Sequence, residues 1–303
     1  MPRRKLIGVI AASFVAVLLV SSGSVLPLPH HEAGQDRLVV MTYNTGGSTG
    51  KKAQGGRAVA ITEVIRRAGP DLLFLQECRE KDLGSLADAL GMRFTRFVPY
   101  QGEKKKSGLA ILSRYPLAEP RAHYFPSSPQ GLGFLTCDVD VQGSTLCVAN
   151  IHLDRIQRIQ AKKAMPRIAW RTALSVVLNE LLSETLRTRQ VELLLERMND
   201  GSSQSVILAG DFNTIPYAAA IRKVQDRYQD ALWPSSDFFS NTYKDLGFPL
   251  KPRIDYIFHS PGITMAESGI IRSGRGDHYP VWAELVLHQR PTWEGQSPRA
   301  VYP

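Results

Sequence analysis

The sequence predicts an α/β fold in which two mixed β-sheets pack face to face, with helices on the outside. Apolar runs of strand length recur along the chain and are separated by helical patterns and by hairpin turns. Several of these runs end in a carboxylate, a carboxamide or an imidazole, which is typical of buried strands that deliver polar groups to a site. Because these strand ends are spread evenly over 303 residues, one large domain is favoured.

The elements of this domain are predicted between residues 38 and 288. A helix over residues 57–68 has an apolar face and is stopped by Gly69-Pro70, and a turn at residues 142–144 joins the two strands of a hairpin. Strands are predicted over residues 38–43, 71–75, 94–98, 109–113, 134–141, 145–151, 205–210, 254–258, 270–271 and 281–286, and further helices over residues 83–90, 185–198 and 218–226.

Residues 155–184 form an additional segment before the helix at residues 185–198. Its first part, from Arg155 to Arg171, carries six basic residues and no acidic one. Pro166 breaks this part, and residues 168–182 then form a helix with a broad apolar face. That face could pack in the core, or it could enter a lipid interface while the cations meet anionic head groups. The same cations could instead contact nucleic-acid phosphates.

Polar residues at the strand ends are the candidate site. Asp211 and Asn213 follow the apolar run at residues 205–210, and we expect them to point to the same side because side chains two residues apart on a strand do so. The other strand ends supply oxygen ligands or imidazoles of the same kind, namely Asn44, Glu77, His152, Asp255, Asp277 and His278.

Some of these residues also have a purely structural interpretation. Asn44 could cap a turn, and His152 could be a core histidine with a satisfied hydrogen bond. Asp255 lies in an apolar run, where an unpaired carboxylate is costly, so its structural alternative is a core salt bridge with Arg253. Asp154 is interpreted as a helix N-cap and is not counted as catalytic.

From residue 38 to residue 286 the chain resembles the endonuclease/exonuclease/phosphatase superfamily, which includes deoxyribonuclease I, abasic-site endonucleases, inositol-phosphate phosphatases and neutral sphingomyelinases. No single motif is decisive, but the ordered set is hard to obtain otherwise. The resemblance implies a four-layer α/β sandwich with two mixed, mostly antiparallel sheets. The motifs that carry it are Asn44, Gln76-Glu77, Ser107-Gly-Leu-Ala-Ile-Leu-Ser-Arg114, His152, Gly210-Asp-Phe-Asn213, Arg253-Ile-Asp255-Tyr and Asp277-His278 with Pro280-Val281.

The resemblance also implies a role for each matching residue. Glu77 corresponds to the principal metal ligand, and Asp277 and Asn44 complete or support that metal site. Asp211 corresponds to the residue that orients and activates the attacking water, and Asn213 to the one that holds the phosphate or the nucleophile.

Both histidines match residues that contact the phosphate. His278 has Asp255 as its carboxylate partner, which would keep the imidazole charged near neutral pH. His152 matches the second such histidine. Some family nucleases place its acidic partner close to Ser107, where this chain has Lys104 to Lys106 instead. A second carboxylate ligand is also absent next to Asn44.

The donor types indicate a hard metal ion. Carboxylates, carboxamides and imidazoles without thiolates suit Mg²⁺ or Mn²⁺. Together with these donors, the resemblance implies a metal-dependent phosphoesterase that acts by direct attack of activated water on a phosphodiester of a phospholipid, a sphingolipid or a nucleic acid. The alternatives are an endo- or exonuclease specifically, a phosphomonoesterase, or a catalytically inactive module that docks on membranes or nucleic acid; no protein partner is predicted.

The first 29 residues have the outline of an export signal or a membrane anchor. Arg3, Arg4 and Lys5 precede an apolar stretch over residues 6–20, which would place the catalytic domain in the periplasm or outside the cell. Without those three cations, 34 basic residues face 28 acidic ones, so a formal charge of +9 becomes +6. Residues 30–37 read as a linker, and residues 289–303 as a loose tail.

Three cysteines are present. Cys137 and Cys147 lie on the two strands of the hairpin and could form a cross-strand disulfide, with Cys78 left over. A cysteine-bound metal is not expected, because the sequence contains no Cys-x-x-Cys pair.

Overall fold

Two six-stranded sheets form the centre of the molecule. The computed structural model describes residues 37–46, 57–102, 107–155, 166–198, 205–244, 252–273 and 276–288. The N-terminal segment, most of the linker, the C-terminal tail and much of the basic part of the insertion therefore lie outside the described residues.

The first sheet has the strand order β11-β12-β1-β2-β4-β3. Only β1 and β2 pair in parallel in it, and the other neighbours are antiparallel. Its strands are β1 (Arg37–Asn44), β2 (Leu72–Arg79), β3 (Phe94–Pro99), β4 (Ser107–Ser113), β11 (Ile263–Ile270) and β12 (Val281–Leu287).

The second sheet has the order β5-β6-β7-β8-β10-β9. Here β7 and β8 are the parallel pair. The predicted hairpin is confirmed as β6 and β7. Strand β5 was not predicted, because it contains Pro120 and a mostly polar sequence. It is an edge strand, where proline is tolerated. The strands are β5 (Leu117–Tyr124), β6 (Gly133–Val141), β7 (Ser144–His152), β8 (Ser205–Asp211), β9 (Gln229–Asp230) and β10 (Asp255–His259).

Helices cover the outer faces of both sheets. Ile61 and Ile65 of the first helix pack with Leu73 of β2 in one apolar cluster, and Val191 and Ile221 from two later helices join the large cluster that includes the inter-sheet core. Two helix layers around two mixed sheets confirm the predicted four-layer α/β sandwich. The helices are α1 (Arg57–Ala68), α2 (Glu80–Leu90), α3 (Pro166–Leu182), α4 (Leu186–Arg197) and α5 (Ala219–Gln225).

Helix α3 belongs to the insertion. Pro166 is its first residue, a position where the missing N–H costs nothing. Among its described side chains Leu174 is exposed, Val177 and Leu178 are half-buried, and the buried one is Glu180. The described part of the apolar face is therefore not a core face. No helix among the described residues is long and apolar enough to cross a membrane.

The cysteine prediction is wrong. Cys137 lies opposite Val148, and Cys147 lies opposite Asp138, so the two cysteines are one position out of register and point to opposite faces of the sheet. Cys78, Cys137 and Cys147, all of them described, form no disulfide.

The sheet topology gathers the strand ends at one edge. Parallel pairing places Asn44 beside Gln76, and in the second sheet it places His152 beside Asp211. The antiparallel strand β10 begins at the same edge, with Asp255 opposite Asp211. Residues that are far apart in the sequence meet there for this reason.

Candidate active site

Asp211 is the centre of the site. It is the last residue of β8 and is buried. Its Oδ2 accepts a hydrogen bond from Asn44 Nδ2 at 3.0 Å and lies 3.5 Å from His152 Nε2 and 3.8 Å from His278 Nε2. Burial and the neighbouring Asp255 raise the pKa of Asp211 to about 7. One carboxylate oxygen therefore faces two imidazoles.

His278 forms a buried pair with Asp255. Its Nδ1 lies 2.9 and 3.1 Å from the two carboxylate oxygens. Burial disfavours the charged imidazole, but the carboxylates of Asp255 and Asp211 outweigh it and raise the pKa of His278 to about 9. His278 is therefore a cation at neutral pH, and its Nε2 faces the site with a proton to donate.

His152 has a tyrosine as its partner. Tyr100 Oη lies 2.7 Å from Nδ1 and also accepts the N–H of Glu77 at 3.0 Å. Burial lowers the pKa of His152 to about 4, so this imidazole is neutral. If Tyr100 donates its proton to Nδ1, Nε2 carries the hydrogen; this buried atom has no hydrogen-bond partner among the described residues.

Glu77 sits on an irregular part of β2. The pairing of β2 with β4 shifts register between Leu75 and Cys78, and Glu77 has φ 55°, an uncommon value for a residue other than glycine. This bulge turns the carboxylate towards Asn44 Nδ2, 3.3 Å away, and into an ion pair with Arg155. Burial opposes ionisation, but the charge of Arg155 and the hydrogen bond from Asn44 hold the pKa of Glu77 below its usual value.

Asn150 and Gln76 stabilise the bulge of β2 through buried hydrogen bonds. Asn150 Nδ2 donates to the backbone oxygens of Leu75 at 2.9 Å and of Ala110 at 2.8 Å. Gln76 Nε2 donates to Asn150 Oδ1 at 2.7 Å and to Thr42 Oγ1 at 3.0 Å. These buried amides tie both sheets to the strand segment that carries Glu77.

Asn213 lies beside Asp211, but not for the reason that the alternation on a strand suggests. β8 ends at Asp211, and Asn213 follows it in the left-handed region with φ 49°. Its N–H donates to Asp211 Oδ1 at 2.9 Å, and its Nδ2 donates to Leu153 O at 2.8 Å. The contacts are those of a turn that closes over the strand end.

Asp277 directly precedes His278 in the chain. Asp277 Oδ1 is buried and has no hydrogen-bond partner among the described residues. A buried carboxylate oxygen without a partner is costly, and a cation would satisfy it.

The donors at this edge fit a hard divalent ion. Carboxylate and carboxamide oxygens come from Glu77, Asn44 and Asp277, and no thiolate lies among them. Ligand atoms of Asp211, Asp255 and His278 also lie within 4.8 Å of one another. In that group, however, both oxygens of Asp255 already face the proton on His278 Nδ1. The group is therefore better explained as a hydrogen-bonded Asp255–His278 pair next to Asp211.

The structural alternatives that the sequence left open have clear outcomes. Arg253 pairs with the buried Asp230 and not with Asp255. Asp154 accepts a hydrogen bond from Gln190 Nε2 at 2.6 Å, and the helix that it could cap would lie outside the described residues. Asn44 Oδ1 does accept the N–H of Gly46 at 2.9 Å, so Asn44 both caps a turn and contacts Asp211.

Sequence reasoning missed Tyr100 and Arg155 as parts of the site. Tyr100 follows the end of β3 as an ordinary aromatic residue, and no local signal marks it. Arg155 could have been noticed, because it follows His152 closely and opens the basic segment.

A comparison with protein families identifies the class. The model of the endonuclease/exonuclease/phosphatase family matches residues 41–278, which is most of the chain. The chain belongs to this family. Its members hydrolyse phosphate esters with a divalent metal ion, and the protein is accordingly a metal-dependent hydrolase of phosphate ester bonds.

Solved structures show the same fold at low sequence identity. TDP2 of D. rerio, humanized by 14 mutations, is 18% identical with a TM-score of 0.61, covering 82% of this chain and 98% of that one. The human nocturnin catalytic domain with bound sulfate is 16% identical with a TM-score of 0.62, covering 83% and 95%. A mannosyl-6-phosphatase of Bacteroides thetaiotaomicron is 20% identical with a TM-score of 0.56, covering 82% and 100%. A search of curated protein sequences found no match.

Proposed function

We propose that the protein is an exported, Mg²⁺-dependent phosphodiesterase that acts by direct attack of an activated water on phosphorus. The observation that carries this proposal is Asp211 between two imidazoles in different protonation states, with His278 charged and His152 neutral. A buried site that offers one base and two N–H donors is suited to phosphoryl transfer to water.

Glu77, Asp277 and Asn44 would hold the metal ion, Mg²⁺ or in its place Mn²⁺. The metal supplies Lewis-acid stabilisation of the phosphoryl oxygens when it is bound. Asn150, Gln76 and the bulge of β2 hold Glu77 in place for this task. Arg155 forms an ion pair with Glu77 and brings a positive charge to the site where the substrate phosphate would bind.

Asp211 would orient the attacking water and accept its proton. Asn44 Nδ2 and the N–H of Asn213 each hold one of its oxygens, so the carboxylate is fixed before the substrate arrives. A raised pKa of about 7 makes it a stronger base than an ordinary aspartate.

The imidazoles would stabilise charge on the phosphoryl group. His278 donates from Nε2 as a cation, and His152 donates from Nε2 as a neutral ring with Tyr100 behind it. Asn213 Nδ2 donates one hydrogen to Leu153 O. The remaining N–H and Oδ1 of this side chain would contact the phosphate or the nucleophile.

The substrate would be a phosphodiester of a phospholipid, a sphingolipid or a nucleic acid. The preference for a diester rests on likeness to the family. The apolar N-terminal segment and the basic insertion favour a lipid and a location in the periplasm or outside the cell, where the N-terminal segment could also keep the enzyme at the membrane. Complexes of D. rerio TDP2 with a single-stranded DNA product support the nucleic-acid alternative.

Hydrolysis of bis(4-nitrophenyl) phosphate by the full-length protein tests the reaction. We expect turnover with MgCl₂, none in EDTA, and a loss of roughly 100-fold or more in Asp211→Asn, because general-base catalysis contributes at least that much. Asp226→Asn changes an exposed carboxylate at the C-terminal end of α5. This variant is the matched control and should keep full activity. Normal turnover by Asp211→Asn would contradict the proposed role.

The substrate class needs a direct comparison. Plasmid DNA, sphingomyelin vesicles, phosphatidylcholine vesicles and inositol phosphates are offered side by side to the same preparation. Preference for 4-nitrophenyl phosphate over the diester would identify a phosphomonoesterase instead. Binding to vesicles or DNA without turnover of any ester would identify a docking module.

A further inference from the structure

Three exposed aromatic side chains surround one buried ring near the active site. Tyr217, Trp233 and Phe239 are 37%, 57% and 39% exposed, whereas Phe238 is buried. The ring centroid of Phe238 lies 5.8, 5.0 and 4.8 Å from those of the three exposed rings. We call these four residues the aromatic patch. Exposed apolar groups in such a contiguous arrangement mark an interaction surface.

The aromatic patch adjoins the catalytic edge of the sheets. Tyr217 belongs to the loop that follows Asp211, and it has φ 65°. The Phe238 ring lies 4.6 Å from the guanidinium of Arg253, two residues before Asp255. The aromatic patch is therefore connected to the loop that follows Asp211 and to the segment that leads into Asp255.

Helix α3 extends this surface. Arg222 Nη1 donates to Leu181 O at 3.0 Å and also to Tyr217 O, which fixes the end of α3 beside the aromatic patch. Leu182, the last residue of α3, is 76% exposed. An exposed aliphatic side chain thus directly follows the residue that Arg222 joins to Tyr217.

The insertion that ends near Tyr217 is rich in positive charge in its sequence. It begins at Arg155, which touches Glu77 in the active site, and the end of its helix α3 is joined to Tyr217 through Arg222. Between Arg155 and Arg171 the sequence has six basic residues and no acidic one. A basic sequence combined with exposed apolar side chains is what an anionic lipid surface attracts.

We propose that the aromatic patch and Leu182 form a docking surface for a bilayer that contains anionic lipids. This inference rests on the proposed function and narrows its substrate class to lipid phosphodiesters. Tryptophan and tyrosine rings favour the level of the lipid head groups. Of the exposed rings, Tyr217 and Phe239 are tilted by 38° with their centroids 6.3 Å apart, so these two do not present the parallel faces on which successive bases stack.

Tryptophan fluorescence tests the docking directly. The difference in emission between the full-length protein and Trp233→Phe isolates the signal of Trp233. We expect brominated phosphatidylcholine vesicles that contain phosphatidylglycerol to quench this signal, and oligothymidylate to leave it unchanged. Absence of quenching by the vesicles, or quenching by oligothymidylate instead, would overturn the proposal. Equal quenching by vesicles without phosphatidylglycerol would overturn the role given to the cations.

Kinetics provide the second test. In Tyr217→Ser/Trp233→Ser/Phe239→Ser, we expect hydrolysis of vesicle lipid to fall roughly tenfold or more, because three large apolar side chains no longer leave water. Turnover of bis(4-nitrophenyl) phosphate should stay at the level of the parent. Val59→Ser, which removes an exposed apolar side chain from α1, is the control and should change neither rate. An unchanged vesicle rate in the triple variant would refute the docking surface.

The two tests separate this proposal from the proposed function. If the parent does not hydrolyse the soluble diester, the phosphodiesterase function fails, whereas quenching of Trp233 by brominated vesicles would still demonstrate docking. If the soluble diester is hydrolysed but Trp233 is not quenched, only the docking proposal fails.

Discussion

The pair formed by His278 and Asp255 makes a quantitative prediction about Asp255→Asn. The substitution keeps the shape of the side chain and removes the carboxylate that lies 2.9 Å from Nδ1. Since the pKa of His278 is about 9 against an ordinary value of 6.5, the folded state favours the charged imidazole by about 3 kcal/mol at 1.36 kcal/mol per pKa unit. In the variant burial remains while the nearest negative charge is gone. We therefore expect the pKa to fall by at least about two pH units, so that at least half of the His278 side chains are neutral at neutral pH.

This pair also sets the sign of a stability change with pH. Because the folded pKa of His278 is raised, its stabilisation is fully present below about pH 6.5 and is lost as the pH rises through about 9. The free energy of unfolding of the parent should fall in that window, and this decrease should be much smaller in Asp255→Asn.

Two measurements on protein treated with EDTA check this prediction. NMR titration of the imidazole signals, with His278 assigned from His278→Gln, gives the pKa, and urea unfolding across the same pH range gives the stability. Asp88→Asn, an exposed carboxylate on α2, should reproduce the parent in both. A His278 pKa that stays near 9 in Asp255→Asn would refute the reasoning.

Three further predictions concern the rest of the fold. Asp230→Ala should lower the free energy of unfolding in urea by about 3–5 kcal/mol, because it leaves the guanidinium of Arg253 buried without its carboxylate; a loss near zero would contradict this. Asn150→Ala should lower it by roughly 3 kcal/mol and raise the Mg²⁺ concentration needed for half-maximal turnover, since two backbone oxygens and the Gln76 amide lose their partner. Burial lowers the pKa of His259, so the parent should lose stability as the pH falls through about 6.5, because the unfolded chain takes up a proton there that the folded state resists. His259→Gln should show a shallower loss in the same unfolding series. An identical slope would contradict the assignment.

Local patterns predicted most of the strands and the residues at their ends. The hairpin of β6 and β7 and the helix at residues 57–68 have clear periodicity and turn signals, and the structure contains both. β5 was missed because an edge strand with an exposed, polar sequence lacks the alternation that marks a half-buried strand. The pairing of Cys137 with Cys147 failed because cross-strand register differs by one position from the pairing that a disulfide would need.

The partners of the site residues were the harder part. His152 pairs with Tyr100 and Glu77 pairs with Arg155, although no motif joins either pair. The three exposed rings of the aromatic patch meet only because separate loops converge on Phe238. A contact between distant segments depends on how the sheets pack, and a local pattern carries no record of it.

By itself the sequence determined most of the strands and helices, the family and the chemical types of the candidate ligands, because these depend on residue identity and spacing along the chain. The tertiary structure decided which imidazole is charged, which side chain supports each ligand and where apolar surface is left exposed. Those properties depend on burial and on distances of a few ångströms between residues far apart in sequence, since desolvation and nearby charges set the pKa of each group.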